Sequence, residues 1–265
     1  MVSAMCVIAF AYKMPALGHL ALLANRDEAY ARPTAPLDFW PDRPDILGGR
    51  DLRAGGSWLA ISSGGRFAAV THIREGYAKT GERSRGELVS RYVTGNEDPL
   101  DFARMLAAEK NHYAPFNIIF GPVDDLLHFH STTGALNRLT PGIHTLSNAT
   151  LDTNWFKSER LAEHLRQLRR MPTEADAFAW LEDPTQAPPE RLPNTGVGSA
   201  IERQLSSIFV NARDYGTCSS MLLIVSARGD IGFSERSFGL AGRETGRRRF
   251  TLRAGQQAPA SRSGT

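Results

Sequence analysis

Cys6 follows Met5 and opens an apolar run, and the polar run Asn25-Arg26-Asp27-Glu28 closes the next apolar segment. A thiol is a good nucleophile only as thiolate, so it needs a cation or a base beside it. If translation starts at Met5, or if the leading residues are removed, Cys6 carries the thiol and a free α-amine on one residue. An α-amine titrates at about 7.7–8.0 and can serve as general base toward its own side chain. Arg26 is placed to supply the cation, or to pair with a substrate carboxylate, and Asp27 to hold the amine. The plain alternative is that Cys6 is a small buried hydrophobe and the charged run a salt-bridged strand end.

The elements that must position these groups are legible from pattern. Residues 6–12 and 19–24 are nearly continuous apolar runs separated by Pro15 and Gly18, the pattern of a hairpin buried on both faces. A hairpin brings the end of its second strand back to the start of its first, so Cys6 and residues 25–28 meet. A second hairpin spans residues 57–62 and 66–71 around Gly64-Gly65. Helical periodicity covers residues 85–94, 99–108 and 154–168, and strand patterns return at 116–120, 126–130, 221–225 and 231–234. Strands in runs, rather than alternating singly with helices, disfavour a doubly wound parallel sheet. The proline-rich stretch 182–193 reads as an exposed excursion. A single domain over residues 6–253 is expected, with 254–265 as a flexible tail.

Composition narrows the function classes. The chain has 265 residues, a formal charge of +3 and short arginine clusters, without a basic stripe interleaved with aromatics, so a nucleic-acid partner is not expected. Two cysteines exclude a disulfide framework and fit a reducing compartment. The first apolar run meets Lys13 too early to be an export signal or a span, so a cytoplasmic protein without integral membrane contact is expected. His128 and His130 share one face of a strand, but two ligands are weak grounds for a metal, and none is expected.

Met5-Cys6, Ala24-Asn25-Arg26-Asp27-Glu28, Gly55-Gly56-Ser57-Trp58-Leu59, Ser84-Arg85-Gly86-Glu87-Leu88, Leu146-Ser147-Asn148-Ala149 and Tyr215-Gly216-Thr217 follow one another in order along the chain. Together they resemble the NRDE-domain family, which includes the transport-and-Golgi-organisation proteins, from Cys6 to about Phe250. The resemblance implies an α+β fold, a four-layer αββα sandwich of two mainly antiparallel sheets of the N-terminal-nucleophile-hydrolase type, similar to bile-salt hydrolases and penicillin V acylases. It implies a cysteine hydrolase acting on a C–N amide or acyl bond of a small metabolite, needing no cofactor, with Cys6, Arg26, Asp27 and Asn148 as catalytic residues. Asn148 would donate to the oxyanion; as a residue type it is equally a turn former ahead of the helix near residue 154. Asn25, Glu28, Trp58, His72 and Arg85 are the expected substrate contacts.

Two positions depart from the family pattern. Cys218 stands after Tyr215-Gly216-Thr217 where an arginine is usual, and His72 stands where an asparagine is common. His72 could titrate, bind an anion or ligate a metal, although a histidine at a strand end is more often simply hydrogen-bonded. The alternative to a hydrolase is a non-catalytic carrier for haem or an acylated, lipid-like metabolite, with haem ligated by Cys6 or a histidine. A purely structural or interaction protein is a third class.

Overall fold

A computed structural model describes residues 5–74 and 81–253; the expected tail, 254–265, lies outside the described residues. In chain order come β1 (Met5–Met14), β2 (Gly18–Ala29), β3 (Thr34–Trp40), β4 (Arg43–Asp51), β5 (Leu59–Ser62) and β6 (Arg66–His72). Helices α1 (Gly86–Thr94) and α2 (Pro99–Glu109) follow, then β7 (Phe116–Pro122), β8 (Leu127–His130), β9 (Ala135–Arg138) and β10 (Gly142–Leu146). The last third holds α3 (Phe156–Gln167), α4 (Glu174–Leu181), α5 (Ser199–Gln204), β11 (Tyr215–Val225), β12 (Ile231–Phe238) and β13 (Glu244–Leu252).

The strands form two antiparallel sheets, one ordered β10-β1-β2-β11-β12-β13 and the other β3-β4-β5-β6-β7-β8-β9. Alternation along β1 and β2 assigns the layers. Ile8, Phe10, Leu22 and Ala24 point into the seam between the sheets, where they meet Leu47, Leu59, Phe67 and Ile119. Val7, Ala9 and Leu23 point the other way, onto Leu161 and Leu165 of α3 and Phe178 and Leu181 of α4. The second sheet is covered by Val89 and Tyr92 of α1 and Phe102 and Leu106 of α2. The result is the expected four-layer αββα sandwich. Both faces of β1 and β2 are buried, which is why their sequence reads as continuous apolar runs.

The helices expected at 85–94 and 99–108 form with ends within a residue. Trp155, expected inside the third helix, instead caps α3 from outside in extended conformation. The excursion at 182–193 contains only a short 3-10 turn, Pro189–Arg191.

One close approach ties two of the motifs together. Ser57 N donates to Gly86 O at 3.1 Å, and a Cβ on Gly56 would stand 2.6 Å from that oxygen and run into its carbonyl carbon. Backbone crowds both sides, so the contact admits glycine only. It joins the segment that carries Trp58 to the start of α1, next to Arg85. Gly56→Ala is expected to lower stability by about 1–3 kcal/mol through overpacking. Gly246→Ala, whose Cβ would meet nothing within 4 Å, serves as the near-neutral control. Urea denaturation of both variants checks this, and equal stability of the two would refute the glycine requirement.

Candidate active site

The hairpin pairs Cys6 with Arg26 and residue 5 with Asp27, as the sequence pattern requires. Alternation then separates the charged run. Arg26 lies on the seam side with Cys6, its guanidinium 4.4 Å from the Trp58 ring centre, while Asn25 and Asp27 lie on the side of α3 and α4. Cys6 is 8% exposed and Arg26 5%. The Trp58 ring fits because residue 49 is glycine, where a Cβ would lie 2.5 Å from Trp58 Cζ2.

The remaining expected residues converge on the same strand end. Pairing of β10 with β1 sets Leu146 opposite Ile8, so Ser147 and Asn148 continue alongside Cys6, and Ser147 Oγ donates to Cys6 O at 2.9 Å. Asn148 is buried and donates from Nδ2 to His72 O at 3.1 Å, which docks the end of β6 against the end of β10. Arg85 interacts electrostatically with Cys6, and burial pulls its guanidinium down to about 10. Glu28 sits between two arginines, 3.5 Å from Arg26 Nη2 and 3.8 Å from Arg32 Nε.

Of the expected substrate contacts, Asn25 is engaged on the helix side, while His72 lies among the arginines of the site. Asn25 donates to Leu181 O at 2.8 Å and Ile208 O at 2.9 Å and accepts from Ser220 Oγ at 2.6 Å, so its amide brackets β2 to the helix layer. His72 is held neutral, well below the usual imidazole range, by desolvation first and then by Arg85, Arg26 and Arg32. An anion-binding imidazolium is therefore disfavoured there. Among the described residues no cluster of three or more metal-ligating side chains occurs, and His128 is hydrogen-bonded to Asn117 Oδ1 at 3.0 Å.

Two functional residues escaped sequence reasoning. Thr217 Oγ1 donates to Asp27 Oδ1 at 2.7 Å and accepts from Val210 N at 2.9 Å. Lys157, in the first turn of α3, is 1% exposed, and its Nζ has no hydrogen-bond partner; its charge acts on Asp27 and Cys6. The Tyr215-Gly216-Thr217 motif was the available signal for Thr217, whereas a lysine on an otherwise apolar helix face announces nothing by spacing.

A β-bulge at Cys218 makes the Thr217 contact. Ser219 pairs with Arg26 and Thr217 with Asp27, so the extra residue reverses which side of the sheet residue 217 faces. Cys218 itself faces a cavity of about 420 Å³ bordered by Arg26 and Trp58.

Electrostatically the site is two-sided. On the seam side the Cys6 thiol is pushed up to about 12, by burial first and then by Asp27, with Arg26 opposing. On the helix side burial lifts the fully buried Asp27 to about 6, while Lys157, the Thr217 hydroxyl and Arg26 pull it down. A carboxyl with a raised folded-state pKa favours the native state below its unfolded pKa, and this contribution is lost as pH rises through about 6. Thr217→Val removes a hydrogen bond to the charged form, so it should cost about 1–3 kcal/mol at pH 7 and less at pH 5. Urea midpoints at the two pH values measure the difference; an equal loss at both would refute the role of Thr217 in stabilising the Asp27 carboxylate.

Comparison with known proteins places these positions in a family. The sequence model for Transport and Golgi organisation 2 matches residues 5–239. A Transport and Golgi organization protein 2 homolog from Bos taurus is 32% identical over 88% of this chain and 93% of its own length. The Homo sapiens homolog is 31% identical over 94% of this chain and 100% of its own. Among solved structures, a mutant conjugated bile acid hydrolase from Clostridium perfringens aligns over 98% of this chain and 100% of its own, with 8% identity and a TM-score of 0.44. A Caenorhabditis elegans N-acylethanolamine-hydrolyzing acid amidase ortholog aligns over 83% and 92%, with 11% identity and a TM-score of 0.40.

Proposed function

The chain belongs to the Transport and Golgi organisation 2 family, and we propose that it hydrolyses a C–N amide or acyl bond of a small metabolite with Cys6 as its mature first residue. The observation that carries this reading is the Asp27 carboxylate. It is fully buried and in register with residue 5; one oxygen accepts from Thr217, and the other has no hydrogen-bond partner among the described residues. A buried carboxylate oxygen without a partner is costly. An α-ammonium on Cys6 would arise at the junction of residues 5 and 6, at the ladder position opposite Asp27, and would supply a partner for that oxygen.

In this reading the α-amine takes the thiol proton and the sulfur attacks the substrate carbonyl carbon while Arg26 and Arg85 offset the thiolate charge. The carbonyl electron pair moves to oxygen, which accepts a hydrogen bond from Asn148 Nδ2. Collapse of the intermediate breaks the C–N bond, and the leaving nitrogen takes the proton from the α-ammonium. Water, deprotonated by the amine, then cleaves the thioester and regenerates Cys6.

The intact mass of purified active protein is expected to correspond to a chain starting at Cys6. Cys6→Ala is expected to reduce hydrolysis of a panel of N-acyl p-nitroanilides by about a thousandfold or more. Full activity in protein that retains Met5 would overturn the proposal.

A second reading has its own support. With a residue ahead of Cys6 the thiol stays neutral up to about 12, which suits a carrier rather than a nucleophile. The ligand would then be haem or an acylated, lipid-like metabolite, with the neutral His72 as axial donor to haem iron, or Cys6 where iron displaces the thiol proton. Carrier function for haem predicts a Soret shift at micromolar haem that is lost in Cys6→Ala or His72→Ala; absence of a shift counts against it.

A further inference from the structure

The cavity beside Arg26 and Trp58 is not lined by Cys6. It opens instead between β2, β3, β12 and β13, on the Cys218 side of Arg26, and its wall is strongly unequal in charge. Arg26, Arg32, Arg247 and Arg248 line it, against one carboxyl, Glu235. Glu235 is 2% exposed, and burial raises its pKa against the opposing pull of hydrogen bonds from Leu37 N and Ser237 Oγ and of the Arg26 and Arg248 charges.

Each arginine has an acidic partner, and none of those partners lines the cavity. Asp51 holds Arg32 through Nε at 2.9 Å and Nη2 at 2.6 Å. Glu244 holds Arg247 in the same fork at 2.6 and 2.9 Å. The two remaining pairs are long: Arg26 reaches Glu28 at 3.5 Å and Arg248 reaches Asp38 at 3.5 Å. A guanidinium has five donors, and such partners fix its direction without exhausting them. Arg26, more than nine-tenths buried and stacked on Trp58, is the one of the four arginines that solvent reaches least.

We propose that this cavity is a binding site for an anionic group, a carboxylate or a phosphate, of a small molecule, held by Arg26, Arg32, Arg247 and Arg248. The proposal stands whether Cys6 is a nucleophile or the protein is a carrier. In the first case the anion belongs to the part of the substrate beyond the scissile bond, in the second to the head group of the cargo.

Cys218 provides a reporter, since its half-buried thiol lines the cavity. Its pKa is pushed up to about 11 by burial, so alkylation is best followed at about pH 9, by peptide mass analysis of the Cys218 site. A positive cavity concentrates an anionic reagent, so the rate ratio of iodoacetate to iodoacetamide at Cys218 should fall roughly threefold or more in the R247Q/R248Q double variant. Both arginines lie at exposed positions of β13, so the fold should tolerate the change. Inorganic phosphate and hexanoate, tested separately at millimolar concentration, should slow Cys218 alkylation in the wild-type chain and not in the variant. Protection by phosphate alone, or by hexanoate alone, identifies which anion the site takes. An unchanged ratio, protection by neither anion, or no reaction of Cys218 with either reagent would each overturn the proposal.

Discussion

A carboxylate buried at the end of a central strand is the constraint around which this molecule is arranged. Asp27 occupies the point where β2 has neighbours on both sides and helices beneath, so its compensating groups converge from several elements. Thr217 comes from β11, Lys157 from α3, and Arg26 from the adjacent position on the opposite side of the sheet. Coulombic interaction in a low-dielectric interior is strong but does not fully repay desolvation. The carboxyl accordingly remains lifted to about 6 despite three stabilising neighbours.

The same strand end divides two kinds of chemistry by parity alone. Successive residues of β2 face opposite layers, so Asn25 and Asp27 address the helices while Arg26 addresses the seam with Cys6 and Trp58. Four consecutive polar residues therefore do separate work: Asn25 fastens α4 and the 208 segment, Arg26 stacks, Asp27 holds charge and Glu28 bridges two arginines. A run that looks in sequence like one pocket is two half-sites sharing a sheet.

What the sequence discloses, and what it hides, follows from burial. The strands of continuous apolar character, β1, β2, β6, β7 and β11, are central and legible, and so is the meeting of Cys6 with residues 25–28. The four edge strands, β3, β9, β10 and β13, carry no such pattern, because an edge faces solvent and is marked by charge, proline and glycine instead. Arg247, Arg248 and Arg249, which read as a solvated cluster, form part of such an edge, and its arginines contribute to the cavity wall. Asn148 reaches the site through β10, an edge strand, so only the resemblance to a family indicated its place.

The bulge at residue 218 changes what the fold requires of that position. On a regular strand residues 217 and 219 face the same way, and Thr217 could not reach Asp27 while Ser219 stayed opposite Arg26. What the geometry demands of residue 218 is therefore that it exist. Its half-buried side chain meets the Glu28 and Gly216 carbonyls only through long thiol contacts, at 3.5 and 3.6 Å, so the fold leans on its identity less than on its presence. The loss of one residue there would be another matter: it would swing Thr217 out from under the buried carboxylate while leaving the composition of the strand almost untouched. Length, more than identity, is what the register requires at this point of the chain.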